Sequence, residues 1–473
     1  MKHWRPSWWQ WILLITVTAV AATWGTLAAI RQQGIVEWRA YEAEAATAGI
    51  GSDAQDFLSG LEPVDAALQE DWSVWSEAYR AVTGLIEYQQ HDLWSVLNGD
   101  ETFSREFSDF IATNVKNLQT GRALACHPDL TVTLAGYAAI GASRGTEPWE
   151  WHIPSLLAAR DMAALLQHEM VFGTEPASAI RDSAQFRMNL QPSSCLMDAM
   201  IAIAAAAVRD EGHLAVAWIG REGADVQAWL KEPPGALQQL AQATEGERTL
   251  FTGEFIARVV DGRTMPEWGS FGWGGNFFQE IWVGMLTWTF TPQEGAQAMR
   301  EFTIIADRFR GDRSQPFPDL RWTTHARSPL IKIAVPYLKE SGITAWEADV
   351  SHRLYRLAAR LVLDASTQGL PADQSAWKQR YSTWSRADGD HPELVYERLA
   401  VDRFRIAVDP ATTYPDFVDP ARYTGSLMTD HGRPAASDLV VIKRLSIEMQ
   451  INPNLPELPT LPASTAPVVP TSP

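Results

Sequence analysis

Residues Trp8 to Ile30 form a run of 23 without a single charge. Ile12, Leu13, Leu14, Ile15, Val17 and Val20 dominate its first half. A helix rises ~1.5 Å per residue, so this run is long enough to cross a hydrocarbon core of ~30 Å with some tilt. Trp4, Trp8, Trp9 and Trp11 crowd one end, where indoles favour the headgroup level. Lys2 and Arg5 flank that end, and Arg31 and Arg39 at the other are offset by Glu37, Glu42 and Glu44. With the α-amino group counted, the balance favours a cytoplasmic N-terminus and a periplasmic body. Ala19-Val20-Ala21 also satisfies the small-x-small pattern of a signal-peptidase site. A single-pass signal anchor and a cleaved signal peptide are therefore both open, and both export the body. The anchor is the favoured reading, because the apolar run continues past that site and an amphipathic helix follows over Ile35–Ala48.

The body must fold into a packed core. Hydrophobic residues make up 46% of the 473 and charged residues 20%, which is globular rather than disordered. The net charge of −18 repels phosphate backbones and argues against nucleic acid as a partner. Two cysteines, Cys126 and Cys195, are too few for a disulfide scaffold; one bridge and two buried thiols are both open. The 21 tryptophans point first to core packing and second to an aromatic surface.

The expected fold class is mainly α: an N-terminal transmembrane helix, a large helical bundle or helical-hairpin domain, and a disordered tail. Trp72, Trp75, Tyr79, Val82 and Ile86 make one apolar stripe at helical spacing. Thr102–Gln119 continues in that style, with Gly121 as its stop. Residues 153–211 read as three helices, with Gly173 and Pro176 marking one stop and restart. Leu196–Val208 is apolar on every side but Asp198, which predicts the buried central helix, ended by Gly212 with His213 capping. Pro233–Val259 predicts a long helix, Pro292–Arg310 another, and Thr344–Thr367 a third. No alternating pattern persists long enough to predict a strand, although Asp438–Ile451 fits a strand or a short helix. The expected divisions are 1–30 anchor, 31–70 juxtamembrane helix and linker, 71–310 helical core, 311–452 second helical lobe, and 453–473 tail. The tail holds seven prolines among small residues.

Roughly a third of the chain, about 120–260, resembles a loose group of bacterial membrane-anchored, mostly helical envelope proteins. Cys126, the run Ile153–Leu166, Gly173 with Ala177 and Ala179-Ile180, the apolar helix after Pro192, and Glu245-Gly246-Glu247-Arg248 carry the resemblance. Arg403–Tyr423 is similar to the Tyr- and Pro-marked segment with which such proteins end. The resemblance implies a helical envelope protein and brings no catalytic residue with it.

Motifs for chemistry are missing. His168-Glu169 lacks the second histidine of a zinc helix, and no two of the ten histidines stand three or four apart. Ser375-Ala376-Trp377-Lys378 matches Ser-x-x-Lys but has no Lys-Thr-Gly partner. Gly272–Asn276 lacks the Lys and hydroxyl of a phosphate loop. No catalytic, cofactor or metal residue is therefore assigned. Asp198, Glu247 and Arg248 are expected to be structural polar residues, with Asp198 needing an arginine or hydroxyl donor. Trp268, Phe271 and Trp273 are the possible ligand-facing aromatics. The expected function is an envelope scaffold or protein-interaction module without catalysis, with an envelope protein as partner. The alternatives are a glycan hydrolase using carboxylates, or a sugar- or peptide-binding module using the aromatic loop.

Overall fold

A computed structural model describes residues 8–50, 65–82, 93–97, 101–137, 157–191, 193–221, 224–262, 277–335, 337–385, 391–409, 411, 413–424, 440–443 and 445–451. The aromatic loop residues Trp268, Phe271 and Trp273 and the 453–473 tail lie outside these residues. The fold is mainly helical. The chain divides into two units, each assembled from three pieces.

The first unit comprises Met1–Phe57, Glu247–Ile305 and Pro318–Lys339. Its longest element is the helix Trp8–Thr47, which contains the whole charge-free run. Thr16 to Thr26 are all exposed, and burial begins at Arg31. No helix among the described residues is long and apolar enough to cross a membrane; the side chains of Ile12–Ile15 lie outside that description.

Beside it runs the helix Phe277–Phe309. Within the unit the two are parallel: Trp24 stacks on Trp288 at 5.7 Å, Gln293 donates to Glu37, and Arg300 grips Glu44 with two bonds of 2.7 and 3.1 Å. Gly34 permits the close approach, because a Cβ there would stand 2.8 Å from the Gln293 nitrogen. The helix is longer than the expected Pro292–Arg310, and Pro292 lies inside it. Proline cannot donate to the carbonyl four residues back, that of Trp288. The Arg31 guanidinium makes that bond instead, at 2.7 Å. Its other nitrogen donates to the carbonyls of Val259 and Val260, at the end of the helix Thr252–Asp261. One side chain thus satisfies a carbonyl freed by proline and that of Val260 at a helix terminus, and adds a second bond to Val259, which also accepts from the Gly262 nitrogen at 3.4 Å.

The sequence predicts one helix over Pro233–Val259. The structure has Ala236–Gly246, a π-helical turn Glu247–Phe251, and then Thr252–Asp261. Gly253 explains the wide turn, since a Cβ there would stand 1.8 Å from the Arg248 carbonyl oxygen.

The second unit comprises Leu58–Gly246, Ala306–Phe317 and Glu340–Pro473. The helix Ala66–Val82 packs on Glu101–Ala125, with Trp72, Trp75 and Tyr79 stacked in series. Gly121 does not stop the second of these helices. It lies beneath Trp75, where a Cβ would fall 1.9 Å from the indole ring. The hairpin Leu157–Phe172 and Pro176–Leu190 turns at Gly173, and Arg221 donates to the Val171 carbonyl freed at the turn.

The buried central helix is Leu157–Phe172, not Leu196–Val208. All of its residues except Leu157 and Arg160 are buried, including Asp161, Gln167, His168 and Glu169. Arg122 pairs with Glu169 and with Asp182, which offsets the burial of these charges. The helix Leu196–Trp218 packs against it but begins with an exposed Met197 and is fully buried only from Gly212 onward. Gly212 passes through its middle rather than ending it, because a Cβ there would meet Met170 at 2.6 Å.

The helix Tyr337–Gln368 extends beyond the expected Thr344–Thr367. After it comes a sheet; of its strands the sequence offers only Asp438–Ile451, as a strand or a short helix, and that stretch holds two of them. β1 (Leu394–Arg398), β2 (Arg403–Val408), β3 (Val440–Lys443) and β4 (Ser446–Gln450) pair antiparallel in the order β1-β2-β4-β3. Leu394, Tyr396, Phe404, Ile406, Val408, Ile447 and Met449 share the buried face. Arg403, Arg405, Glu397 and Glu448 pair on the other. The helix Gln374–Arg380 covers the buried face through Trp377, which stacks on Tyr396.

Candidate functional site

The second unit contains a cleft of about 520 Å³. Its floor is the helix Leu196–Trp218, where Ala202, Ala206 and Ala207 leave room that larger side chains would fill. Arg187 and Leu190 form one wall, Pro233 to Gln242 a second, and Asp349 and His352 a third, with Glu245 and Arg310 at the rim.

A charge network is part of the cleft's lining. Asp210 accepts from His352 Nδ1 at 2.6 Å, from the Trp229 indole at 2.8 Å and from Arg209 at 3.2 Å. Burial alone would raise its pKa, but His352 and Arg209 outweigh burial and hold the carboxyl far below the usual range. Arg209 and Arg187 both donate to Glu232. The second ring nitrogen of His352 faces the Glu232 carbonyl oxygen at 3.2 Å, so both of its nitrogens are engaged. Arg356 donates to the Leu230 carbonyl and lies 4.9 Å above the Trp384 ring; burial draws its pKa down to about 10. His213, placed mid-helix instead of capping, bonds to the Arg209 carbonyl at 2.9 Å and stacks on Trp229 at 4.9 Å. Burial lowers its pKa to about 4 and keeps the ring neutral.

The remaining acids of the cleft are engaged as well. Asp349 accepts from the backbone nitrogens of Ala236 and Leu237, at 2.7 and 3.0 Å, and caps the helix Ala236–Gly246. Glu245 pairs with Arg310 at 2.5 Å. A general acid–base pair needs a carboxyl or imidazole open to a substrate. Here each such group is turned to a protein donor or acceptor. Among the described residues of the lining, the amides of Gln191, Gln238 and Gln242 are held by no hydrogen bond. Each carries donors and an acceptor and so matches peptide groups or hydroxyls.

The residues singled out in the sequence lie elsewhere. Asp198 is wholly buried near the start of its helix, accepting from Ser194 through nitrogen and hydroxyl and from the Leu134 nitrogen at 2.8 Å. Burial raises its pKa to about 6 against those bonds. Glu247 accepts from Thr252, and Arg248 donates to Tyr41, both within the first unit. Cys126 and Cys195 are free thiols rather than a bridge. No group of acids, histidines and cysteines among the described residues has metal-binding geometry.

Arg187, Arg209, Asp210, Glu232 and His352 were not picked out in the sequence. The one signal was Arg209-Asp210 following directly on the apolar run Ile201–Val208. No family model, curated protein or solved structure matches the chain.

Proposed function

We propose that the chain is a single-pass, membrane-anchored module that binds an envelope protein partner without catalysis. Its N-terminus would be cytoplasmic and its body periplasmic. The anchor is supported by the exposure of Thr16–Thr26, which includes Val17, Val20 and Trp24, each more than half exposed. An apolar, charge-free helix presented in this way fits lipid better than water.

The observation that carries the binding role is the cleft of the second unit, whose charges are spent on one another while glutamine amides remain free. Such a surface suits an extended peptide segment, whose carbonyls and N–H groups pair with amides. The same pairing argues against the carboxylate hydrolase, which needs two facing acids, one of them with a raised pKa.

A photo-crosslinking residue at Gln238, on the full chain in intact cells, tests the reading. We expect a discrete protein adduct that is lost when the cleft is filled by Ala206→Trp. A residue of the same kind at exposed Val401 serves as the control. Glycan hydrolysis by the purified chain, abolished by Asp210→Asn, would replace this reading with the hydrolase.

A further inference from the structure

The pairing of charges in the cleft is uneven. Arg209 lines the cleft yet is only 4% exposed. Its Nη2 makes both of its bonds, to Asp210 and to Glu232. Its Nε and Nη1 donate to nothing among the described residues. Arg187, on the wall of the cleft, uses only Nη1, and on the same Glu232 oxygen, Oε2. Two guanidiniums thus share one carboxylate oxygen. Burial and the neighbouring charge of Arg209 draw the Arg187 pKa down in spite of Glu232. Arg356 stands within electrostatic reach of Asp210 and Glu232 as well. Three guanidiniums therefore face two carboxylates, and His352, turned to Asp210, adds no negative charge. The other acids of the lining are committed elsewhere: Asp349 to the nitrogens of Ala236 and Leu237, Glu245 to Arg310. A buried guanidinium with donors left over calls for an anion.

The shape of the cleft says which anion. Ala202, Ala206 and Arg209 follow at helical spacing on one face of the helix Leu196–Trp218. A floor of small apolar side chains therefore leads over ~10 Å to a guanidinium. No residue of that helix beyond Asp210 lines the cleft, and Gly212 to Trp218 are buried, so the floor is closed at its Arg209 end. We infer that the cleft takes a peptide by its C-terminus, with the terminal carboxylate bridging Arg187 and Arg209. The inference rests on the peptide-binding reading of the cleft. A carboxylate accepts up to about four hydrogen bonds and pairs with the guanidinium fork, so one group satisfies both arginines. The last side chain lies on Ala202 and Ala206, and the amide groups before it run along Gln238 and Gln242. A side-chain carboxylate fits less well, because the chain bearing it has to continue past the closed end. An N-terminus would set an ammonium against the guanidiniums.

The test offers the purified full chain, in detergent micelles, two pools of short random peptides immobilised by their N-termini. The pools differ only in ending with a free carboxylate or with an amide, so the comparison needs no variant. We expect the chain to bind the acids alone, and Ala206→Trp, which fills the floor, to abolish the binding. A selected sequence remade as its amide should bind roughly 10- to 100-fold more weakly. Arg187→Gln should narrow that difference, and Arg187→Lys should restore part of it. Equal binding of acids and amides, blocked by Ala206→Trp, would overturn the inference and leave the peptide cleft standing. Binding of neither pool, or binding indifferent to Ala206→Trp, would remove the peptide cleft and the inference together. If N-acetylalanine displaces the selected peptide as well as the free peptide does, the site takes small carboxylates and the peptide end is overturned. In cells, the adduct formed at Gln238 should map to the last few residues of the captured protein; an internal segment there counts against the inference alone.

Discussion

Four buried titratable side chains contribute to the acid response of the second unit. His168 bonds to the Ala164 carbonyl and His213 to the Arg209 carbonyl, and burial lowers both pKa values to about 4. An unfolded histidine titrates near 6.5. Their contribution to stability is complete above pH ~6.5 and is lost as pH falls towards about 4, because the unfolded chain takes up protons that the folded one refuses. Asp198 acts in the opposite sense: raised to about 6, its contribution is complete below the unfolded value of ~3.9 and is lost as pH rises through 6. Asp210, held low, contributes above ~3.9 and matters only in stronger acid. The double variant His168→Gln, His213→Gln should therefore flatten the pH dependence. At pH 5 its slope of unfolding free energy should be lower than that of the parent by roughly 2.7 kcal/mol per pH unit, two protons' worth. Denaturant titrations at several pH values measure this, and equal slopes would mean that these rings are not buried neutral. At this scale the sequence was a partial guide. Asp198 was visible because it interrupts an apolar run. Asp210 and His352 were not, because they are 142 residues apart and only folding brings them together.

Element pairs explain most departures from the sequence reading. Glycine and proline read as punctuation in a sequence, yet Gly121, Gly212 and Pro292 all lie inside helices. The two glycines are there to admit Trp75 and Met170, a demand that comes from a neighbouring helix and leaves no local trace. The first two strands of the sheet escape the sequence for a related reason. Phe404, Ile406 and Val408 do alternate, but over a stretch too short to stand out before its pairing with Ile447 and Met449 is known. Pro292 gives the clearest test at this scale. Arg31→Ala should leave the Trp288 and Val260 carbonyls unpaired, Val259 keeping its bond from the Gly262 nitrogen, and cost about 2–4 kcal/mol. Arg31→Lys, with a single ammonium in place of a forked guanidinium, should recover only part of this. Thermal unfolding in detergent micelles would show the order parent, lysine, alanine. An alanine variant as stable as the parent would mean that those carbonyls find other donors.

At the scale of the molecule, the expected boundary near residue 310 does not describe how the pieces associate. Each unit draws its three pieces from widely separated parts of the chain. Contiguous composition, which is what a linear reading detects, carries no signal of that interleaving. A chain ending after Phe309 lacks Pro318–Lys339 of one unit and Glu340–Pro473 of the other. It should show no cooperative thermal transition by circular dichroism. A sharp transition from that fragment would mean that 71–310 forms a self-sufficient core after all. The mainly helical class was legible throughout, since it rests on periodicity repeated in helix after helix.

The bond from Arg31 to the Trp288 carbonyl has a consequence in time. Its partners are 257 residues apart. A ribosome adding ~5–20 residues per second needs about 13–50 seconds to travel that distance. On the anchor reading, the first helix is handed to the membrane early in synthesis, and Arg31 stands solvated at its border until Trp288 arrives. The second helix, made later, then packs along a partner that is already in place. The anchor would thus serve as the template on which the rest of the first unit is assembled.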